Sequence, residues 1–272
     1  MDSTEWKIGQ YPLHVLVLAA DVKGVAVPVY FRIYSHKGVL SEKERINFIR
    51  KSLSVIDLRG KLLIADREFI GKEWFAFLNT NQIGFLIRLR KGIYQQWIDL
   101  EEKQYDKLQK RVFKKGYAHT DFTLDKQRYR LEVYRNENHN EKEPLVYLLT
   151  NRLRKKRIGK QYRKRWKIEY CFKHLKTNGF NLEQVAFQDT NKIRLLISFV
   201  IVAYILALEQ GILQEKHNPV RHIRSAGGKK YRSVSVFRDG LQKLKEKLTC
   251  LVDFREYLLK RFPKKSTIFK IV

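Results

Sequence analysis

Along the first third of the chain, apolar and polar positions alternate in a way that predicts a sheet with helices between some of its strands. LHVLVLAAD (13–21) and VAVPVYFRI (25–33) are rich in β-branched residues and are separated by a short Lys-Gly turn, so they read as a hairpin. SEKERINFIRKSL (41–53) switches to helical spacing, with Ser41 in the N-cap position and Glu44 three residues on, the pattern of a capping box. KLLIADREF (61–69) is a brief apolar run ending in charge and is predicted as a buried strand. GKEWFAFLNTN (71–81) reads as a short helix and GFLIRLR (84–90) as a further strand. If Asp2 lies in a first strand, the order is strand, strand, strand, helix, strand, helix, strand, which predicts a mixed α/β sheet.

The texture then changes. Residues 91–150 hold short polar-aromatic runs, YQQWI (94–98), HTDFTL (119–124), QRYRLEVYR (127–135) and PLVYLLT (144–150), separated by turn-like segments such as RNENHNEKE. They predict an inserted β subdomain. A basic helix is predicted over about 153–177 and an apolar helix over about 191–213. From Lys216 the chain is again basic, with a GGKK loop and an amphipathic helix over about 235–261. The most apolar run, LLISFVIVAYILAL (Leu195 to Leu208), is shorter than the roughly 20 residues a bilayer needs and is read as a buried core helix.

Composition sharpens this picture. The chain has 272 residues, 44% of them hydrophobic, with 16 Phe, 14 Tyr and 4 Trp, which is enough to bury a sizeable core and excludes a disordered composition. The formal net charge is +28 and the pI about 10.1, far more than solubility needs. A polyanionic partner follows, nucleic acid first and an anionic membrane surface second. Cys171 and Cys250 are far apart and form no C-x-x-C pair, so neither a zinc ribbon nor a disulfide scaffold is indicated. The seven histidines show no metal-binding spacing such as H-E-x-x-H. No secretory signal opens the chain, and together these features predict a bacterial, cytoplasmic protein.

Within the basic helix, YRKRWKIEYCFKHLK (162–176) carries a single acid, Glu169. At about 100° per residue, Tyr162, Arg165, Glu169 and Lys176 fall within an arc of roughly 60°. Ile168, Cys171, Phe172 and Leu175 make a neighbouring apolar stripe. The bland reading is a solvated helix in which Glu169 pairs with Arg165 at i, i+4. Against it, charge on this helix is almost entirely positive, so a purely structural face would repel itself. A carboxylate that holds a divalent metal, beside Arg and Lys that hold nucleic-acid phosphates, explains the alignment chemically.

One carboxylate does not make a magnesium site, so further acids are expected at strand ends. Asp66, in LLIADREF, is one. For the third, Asp2 in MDSTEW competes with Asp21 at the end of LHVLVLAAD. With Asp21 on the first strand, one further strand alone would precede the helix and Asp66. With Asp2 there, 13–21 and 25–33 supply strands two and three, so Asp2 is preferred.

These residues carry a resemblance. Y-x2-R-x3-E-x6-K, formed by Tyr162, Arg165, Glu169 and Lys176, is similar to the signature of bacterial insertion-sequence DDE transposases of insertion-sequence family four, as is the surrounding RWKIEYCFKHLKTNGFNLE. Asp2 in MDSTEWKIG resembles that family's first catalytic segment and Asp66 in IADREFIG its second. The resemblance implies a ribonuclease-H-like mixed sheet of order 3-2-1-4-5 flanked by helices. Residues 1–90 and 151–215 would form this catalytic core, 91–150 the inserted β subdomain, and 216–272 a basic C-terminal helical segment.

It further implies that Asp2, Asp66 and Glu169 are the catalytic metal ligands for two Mg2+ ions, for which Mn2+ substitutes, in DNA cleavage and strand transfer without a covalent protein–DNA intermediate. Tyr162, Arg165 and Lys176 would grip phosphates near the cleaved end. Double-stranded DNA, as transposon ends and target, is the implied partner, bound by paired protomers. Trp97 is a candidate to stabilise a flipped base, with core packing as its alternative. Lys173 lies beside the active face, whereas Arg163, Lys164 and Lys167 point off it. Relatives carry a DNA-binding segment ahead of the first catalytic strand, so an N-terminally truncated chain is expected. The alternative function is an inactive DNA-binding remnant of such an enzyme.

Overall fold

The computed structural model describes residues 1–8, 11–36, 38–90, 92, 102–136, 143–154, 158–177, 179–185, 187, 189–217, 221–225, 227–228 and 230–261. The chain divides into two compact units, Met1–Lys7 with Pro12–Phe172, and Ile8–Tyr11 with Lys173–Val272.

The first unit holds two sheets. In one, β1 (Asp2–Ile8), β2 (Tyr11–Val22) and β3 (Val25–Tyr34) lie in that order, β2 and β3 antiparallel with Val22 opposite Val25. The predicted hairpin is present, its turn made by Lys23 and Gly24, both at positive φ. Helix α1 (Glu42–Ser52) follows with the predicted capping box, in which Ser41 Oγ accepts from the Glu44 backbone and the Glu44 carboxylate accepts from the Ser41 backbone.

The other sheet has five strands in the order β4-β5-β8-β7-β6, from β4 (Leu62–Ala65), β5 (Gly84–Leu89), β6 (Tyr117–Leu124), β7 (Gln127–Arg135) and β8 (Leu145–Thr150). β4 and β5 are parallel, joined through helix α2 (Lys72–Thr80). The structure differs here from the expected single sheet of order 3-2-1-4-5. Among the described residues, β1 meets β4 through the Met1 backbone nitrogen, which donates to the Ile64 carbonyl at 2.8 Å. One such bond is too little for a ladder, so the strands fall into two sheets. The strands expected in an inserted subdomain instead continue the second sheet, with β8 antiparallel to β5. The reason lies in β5, which is buried at five of its six positions and so is covered on both faces and both edges.

Helix α3 (Glu102–Lys115) stands where no element was expected; Leu108 and Val112 are buried among its described side chains, in a run otherwise dense in charge. The run 94–98 and Trp97 lie outside the described residues. The core of this unit joins both sheets to the helices through Leu16, Phe48, Trp74, Phe75, Phe85 and Leu131.

The basic helix begins later than predicted and is interrupted. Helix α4 (Gly159–Tyr162) runs into a 3-10 turn (Arg163–Arg165), then helix α5 (Trp166–Lys176). The division between units falls inside α5. The predicted stripe of Ile168, Cys171, Phe172 and Leu175 is buried.

In the second unit, helix α6 (Thr190–His217) is 28 residues long, longer than predicted, and by length and composition it is long enough to cross a membrane. The core-helix reading holds for one face. Ile193, Ile197, Ile201, Tyr204 and Leu208 are buried at helical spacing, while Leu195, Phe199 and Val202 are exposed. A short ribbon of β9 (His222–Arg224) and β10 (Lys230–Arg232) comes next. The predicted amphipathic helix over 235–261 is two helices, α7 (Val236–Leu248) and α8 (Leu251–Arg261). Phe237 of α7 packs against His174, Phe180 and Tyr204. Gly211 and Gly240 let α6 and α7 approach at backbone contact, since a Cβ at Gly240 would lie 1.8 Å from the Ala207 carbonyl oxygen.

Candidate functional site

Asp2 opens β1 and is buried, its Oδ1 accepting from the Ser3 backbone at 3.0 Å. Asp66 stands one residue past β4 at the head of a tight turn, where its Oδ1 accepts from the Glu68 backbone at 2.8 Å and its carbonyl accepts from the Phe69 backbone at 3.2 Å. Two devices hold that turn. Arg45, buried on α1, donates to the carbonyls of Glu68 and Ile70 at 2.8 and 3.1 Å. Ser3 Oγ donates to Glu68 Oε2 at 3.3 Å, and with the Met1–Ile64 bond this ties the start of β1 to the end of β4. The two aspartates therefore sit on neighbouring strand ends at the seam between the sheets.

The helical side comes to the same seam. Tyr162 is buried among Leu86, Leu148 and Ile158. In a 3-10 turn residues three apart eclipse, so the interruption at Arg163–Arg165 keeps Tyr162 and Arg165 on one face. Arg165 is the hub. Its Nη1 lies 3.4 Å from Asp2 Oδ2, and its Nη2 lies 2.5 Å from Glu169 Oε1. It also lies close enough to the Tyr162 phenol to favour its ionised form. Its buried Nε has no hydrogen-bond partner among the described residues. A cleft of about 600 Å³ adjoins this group and is lined by Met1, Leu18, Asp21, Leu63, Gln161 and Arg165, among others.

The electrostatics follow from burial and crowding. Burial pushes the Asp2 carboxyl up to about 6; the Asp66 charge adds to this, and Arg165 and the Met1 amine oppose it. Burial also pushes the Tyr162 phenol up to about 12, against the pull of Arg165, so it stays a hydrogen-bond donor at neutral pH. Burial works against the Arg165 charge, yet Tyr162, Glu169 and Asp2 together hold its pKa above the ordinary value.

The predicted site residues Asp2, Asp66, Tyr162, Arg165 and Glu169 are thus linked, directly or through Arg165, within the first unit. Lys176 belongs to the second unit, at the end of α5. Among the described residues, no group of three or more His, Cys, Asp or Glu side chains is gathered closely enough to hold a metal ion. The donor chemistry of three carboxylates suits a hard divalent cation. Their arrangement differs from the expected shared cage, because Arg165 takes up Asp2 and Glu169.

The competing acid, Asp21, pairs with Lys164 at 2.7 Å and Lys167 at 2.8 Å. These two bases, expected off the active face, are neutralised there. Arg45, Ser3 and Glu68 were not anticipated as parts of the site. A signal for Arg45 was present, since it falls in register with the buried Phe48, Ile49 and Ser52 of α1, a place where a solvated arginine does not belong.

Comparison with known proteins adds two findings. Residues 42–206, more than half of the chain, match the family described as the transposase DDE domain; the match includes Asp66, Tyr162, Arg165, Glu169 and Lys176 but not Asp2. The structure is similar to a piggyBac transposase, in a cryo-EM structure of its synaptic complex with hairpin DNA, over 97% of this chain with 12% identity and a TM-score of 0.48. The chain spans 55% of the length of that protein. No curated protein matches the sequence.

Proposed function

Since the chain belongs to the transposase DDE domain family, we propose that it is an insertion-sequence transposase of family four, cutting DNA strands at an element's ends and transferring them to a target. The observation that carries this reading is the convergence of Asp2, Glu169 and Tyr162 on Arg165, beside Asp66.

Transposases of this family generally use divalent metal ions. Asp2, Asp66 and Glu169 would hold them, as Mg2+, and the ions when bound would activate the attacking oxygen and stabilise the leaving one. The remaining roles belong to this chain's side chains. Arg165 keeps the charge of Asp2 buried at neutral pH, and its planar fork suits a phosphate as well as a carboxylate. A phosphate that draws Arg165 away leaves Asp2 and Glu169 with free oxygens. Tyr162, protonated at neutral pH, donates to a phosphate oxygen, and Lys176 adds a point charge further along α5. The enzyme would work as paired protomers on double-stranded DNA in the bacterial cytoplasm.

The test is nicking of supercoiled plasmid with Mg2+ or Mn2+ by the full chain and by Glu169→Gln. The wild type should nick, and the variant should lose nicking by about 100-fold or more while still binding DNA. The hold of Arg165 on two of the three carboxylates favours one rival, a DNA-binding remnant without catalysis. Equal absence of nicking in both proteins, with DNA binding intact, would establish that rival.

A further inference from the structure

The ribbon of β9 and β10 pairs Lys230 with Arg224, Tyr231 with Ile223 and Arg232 with His222. The ladder is extended by Ser233, whose backbone donates to the Arg221 carbonyl at 2.9 Å. It turns through Ser225 and Gly228, the glycine at φ 76°. Residues directly opposite one another in an antiparallel pair share a face, so Arg224 and Lys230 stand side by side, as do His222 and Arg232. Like charges in the position of Arg224 and Lys230 destabilise the pairing.

Arg232 is relieved by Glu215 of α6, at 2.5 Å, which anchors the ribbon to its own unit. Arg224 and Lys230 are exposed and make no ion pair among the described residues. The opposite face carries Ile223 and Tyr231, exposed at 39% and 49%. A ribbon serving structure alone would place an acid against Arg224 or Lys230, as Glu215 is placed against Arg232, and would bury its apolar pair.

We propose that the ribbon is a second DNA-binding element, separate from the carboxylate site, which lays its face of Arg224 and Lys230 against phosphates. It rests on the reading of the chain as a DNA-handling protein. A two-stranded ribbon fits the major groove of a duplex, and two adjacent cations with no acid beside them are what a phosphate strand neutralises. The self-repulsion within the ribbon is removed when DNA is bound.

The test is fluorescence anisotropy of a labelled duplex across a salt series, without divalent cations, using the full chain. Arg224→Glu places an acid opposite Lys230, so it should leave the thermal melt unchanged or raised while weakening DNA binding by roughly tenfold or more. Arg224→Gln with Lys230→Gln should lower the slope of log affinity against log salt by about 2. Tyr231→Ala, on the opposite face of the ribbon, should leave both affinity and slope unchanged. Unchanged affinity and slope in the two charge variants, both folded by circular dichroism, would overturn the proposal. So would loss of binding to phosphatidylglycerol vesicles with DNA binding intact. Plasmid nicking read in parallel separates the two ideas: a wild type that nicks, with charge variants that bind DNA normally, sinks the ribbon alone, and a wild type that never nicks leaves the ribbon result standing.

Discussion

Replacing Asp2 with Asn should make the protein more stable at neutral pH and abolish cleavage. The Asp2 carboxyl is raised from 3.8 to about 6, chiefly by burial, with Asp66 adding to the effect and Arg165 and the Met1 amine opposing it. The folded protein therefore binds this proton more tightly than the unfolded chain does. As pH rises from about 4 to above 6, the ionised carboxylate becomes a growing penalty on the folded state, and below about 4 there is none. A shift of that size corresponds to about 2–3 kcal/mol. The attraction of Arg165 is already contained in the net shift, and in Asp2→Asn the guanidinium keeps Glu169 as its partner. Urea unfolding of both proteins from pH 4 to 8 reads the difference directly. Asp2→Asn should gain about 2–3 kcal/mol on the wild type between pH 4 and pH 7.5. A difference independent of pH, or a wild type that is the more stable protein at pH 7.5, would refute the view that Asp2 is held against its burial.

Three further outcomes follow from the packing. In Gly240→Ala the new methyl group would meet the Ala207 carbonyl at 1.8 Å and the Gly211 nitrogen at 2.4 Å, both backbone atoms, so the second unit should lose at least about 3 kcal/mol in a urea melt. Ser41→Ala removes the capping box of α1 and should cost about 1 kcal/mol, seen as a lower melting temperature. Of the two thiols Cys250 is exposed and Cys171 buried, so a thiol-specific reagent should modify one equivalent in the native protein and two in denaturant.

Local pattern was a reliable guide wherever one residue's neighbours in sequence are also its neighbours in space. The β2–β3 hairpin, the capping box at Ser41 and the buried stripe of α5 are all of this kind. What the sequence hid is long-range. That β8 pairs with β5 depends on β5 being buried on both faces, which its apolar run suggested without naming a partner. α3 is not announced by the sequence because its run is dense in charge, with Leu108 and Val112 the apolar positions buried among its described side chains. The role of Arg165 was half legible. Its i, i+4 pair with Glu169 could be read from spacing, but its contact with Asp2, 163 residues away, comes from the fold. Asp21 shows the converse: the rival to Asp2 at a strand end, passed over on strand count, serves as counter-ion to two lysines.

The arithmetic of charge explains why the seam stands out. The chain has 56 lysines and arginines against 28 aspartates and glutamates, so an acid placed without purpose finds bases to spare. Asp21 has two, Asp57 has Arg59, and Asp121 has Arg130, each pair lowering the carboxyl pKa. Around Arg165 the ratio is inverted. Asp2 and Glu169 share one guanidinium and Asp66 adds its charge nearby, so Arg165 does not offset the burial that pushes the Asp2 carboxyl upward, even in a protein of formal charge +28. Burying Asp2 there works against folding, and a neutral residue in its place would remove the penalty. Under the proposed function, a small acidic pocket within a strongly basic protein would draw opposite partners at two length scales, a cation to the pocket and a polyanion to its surroundings.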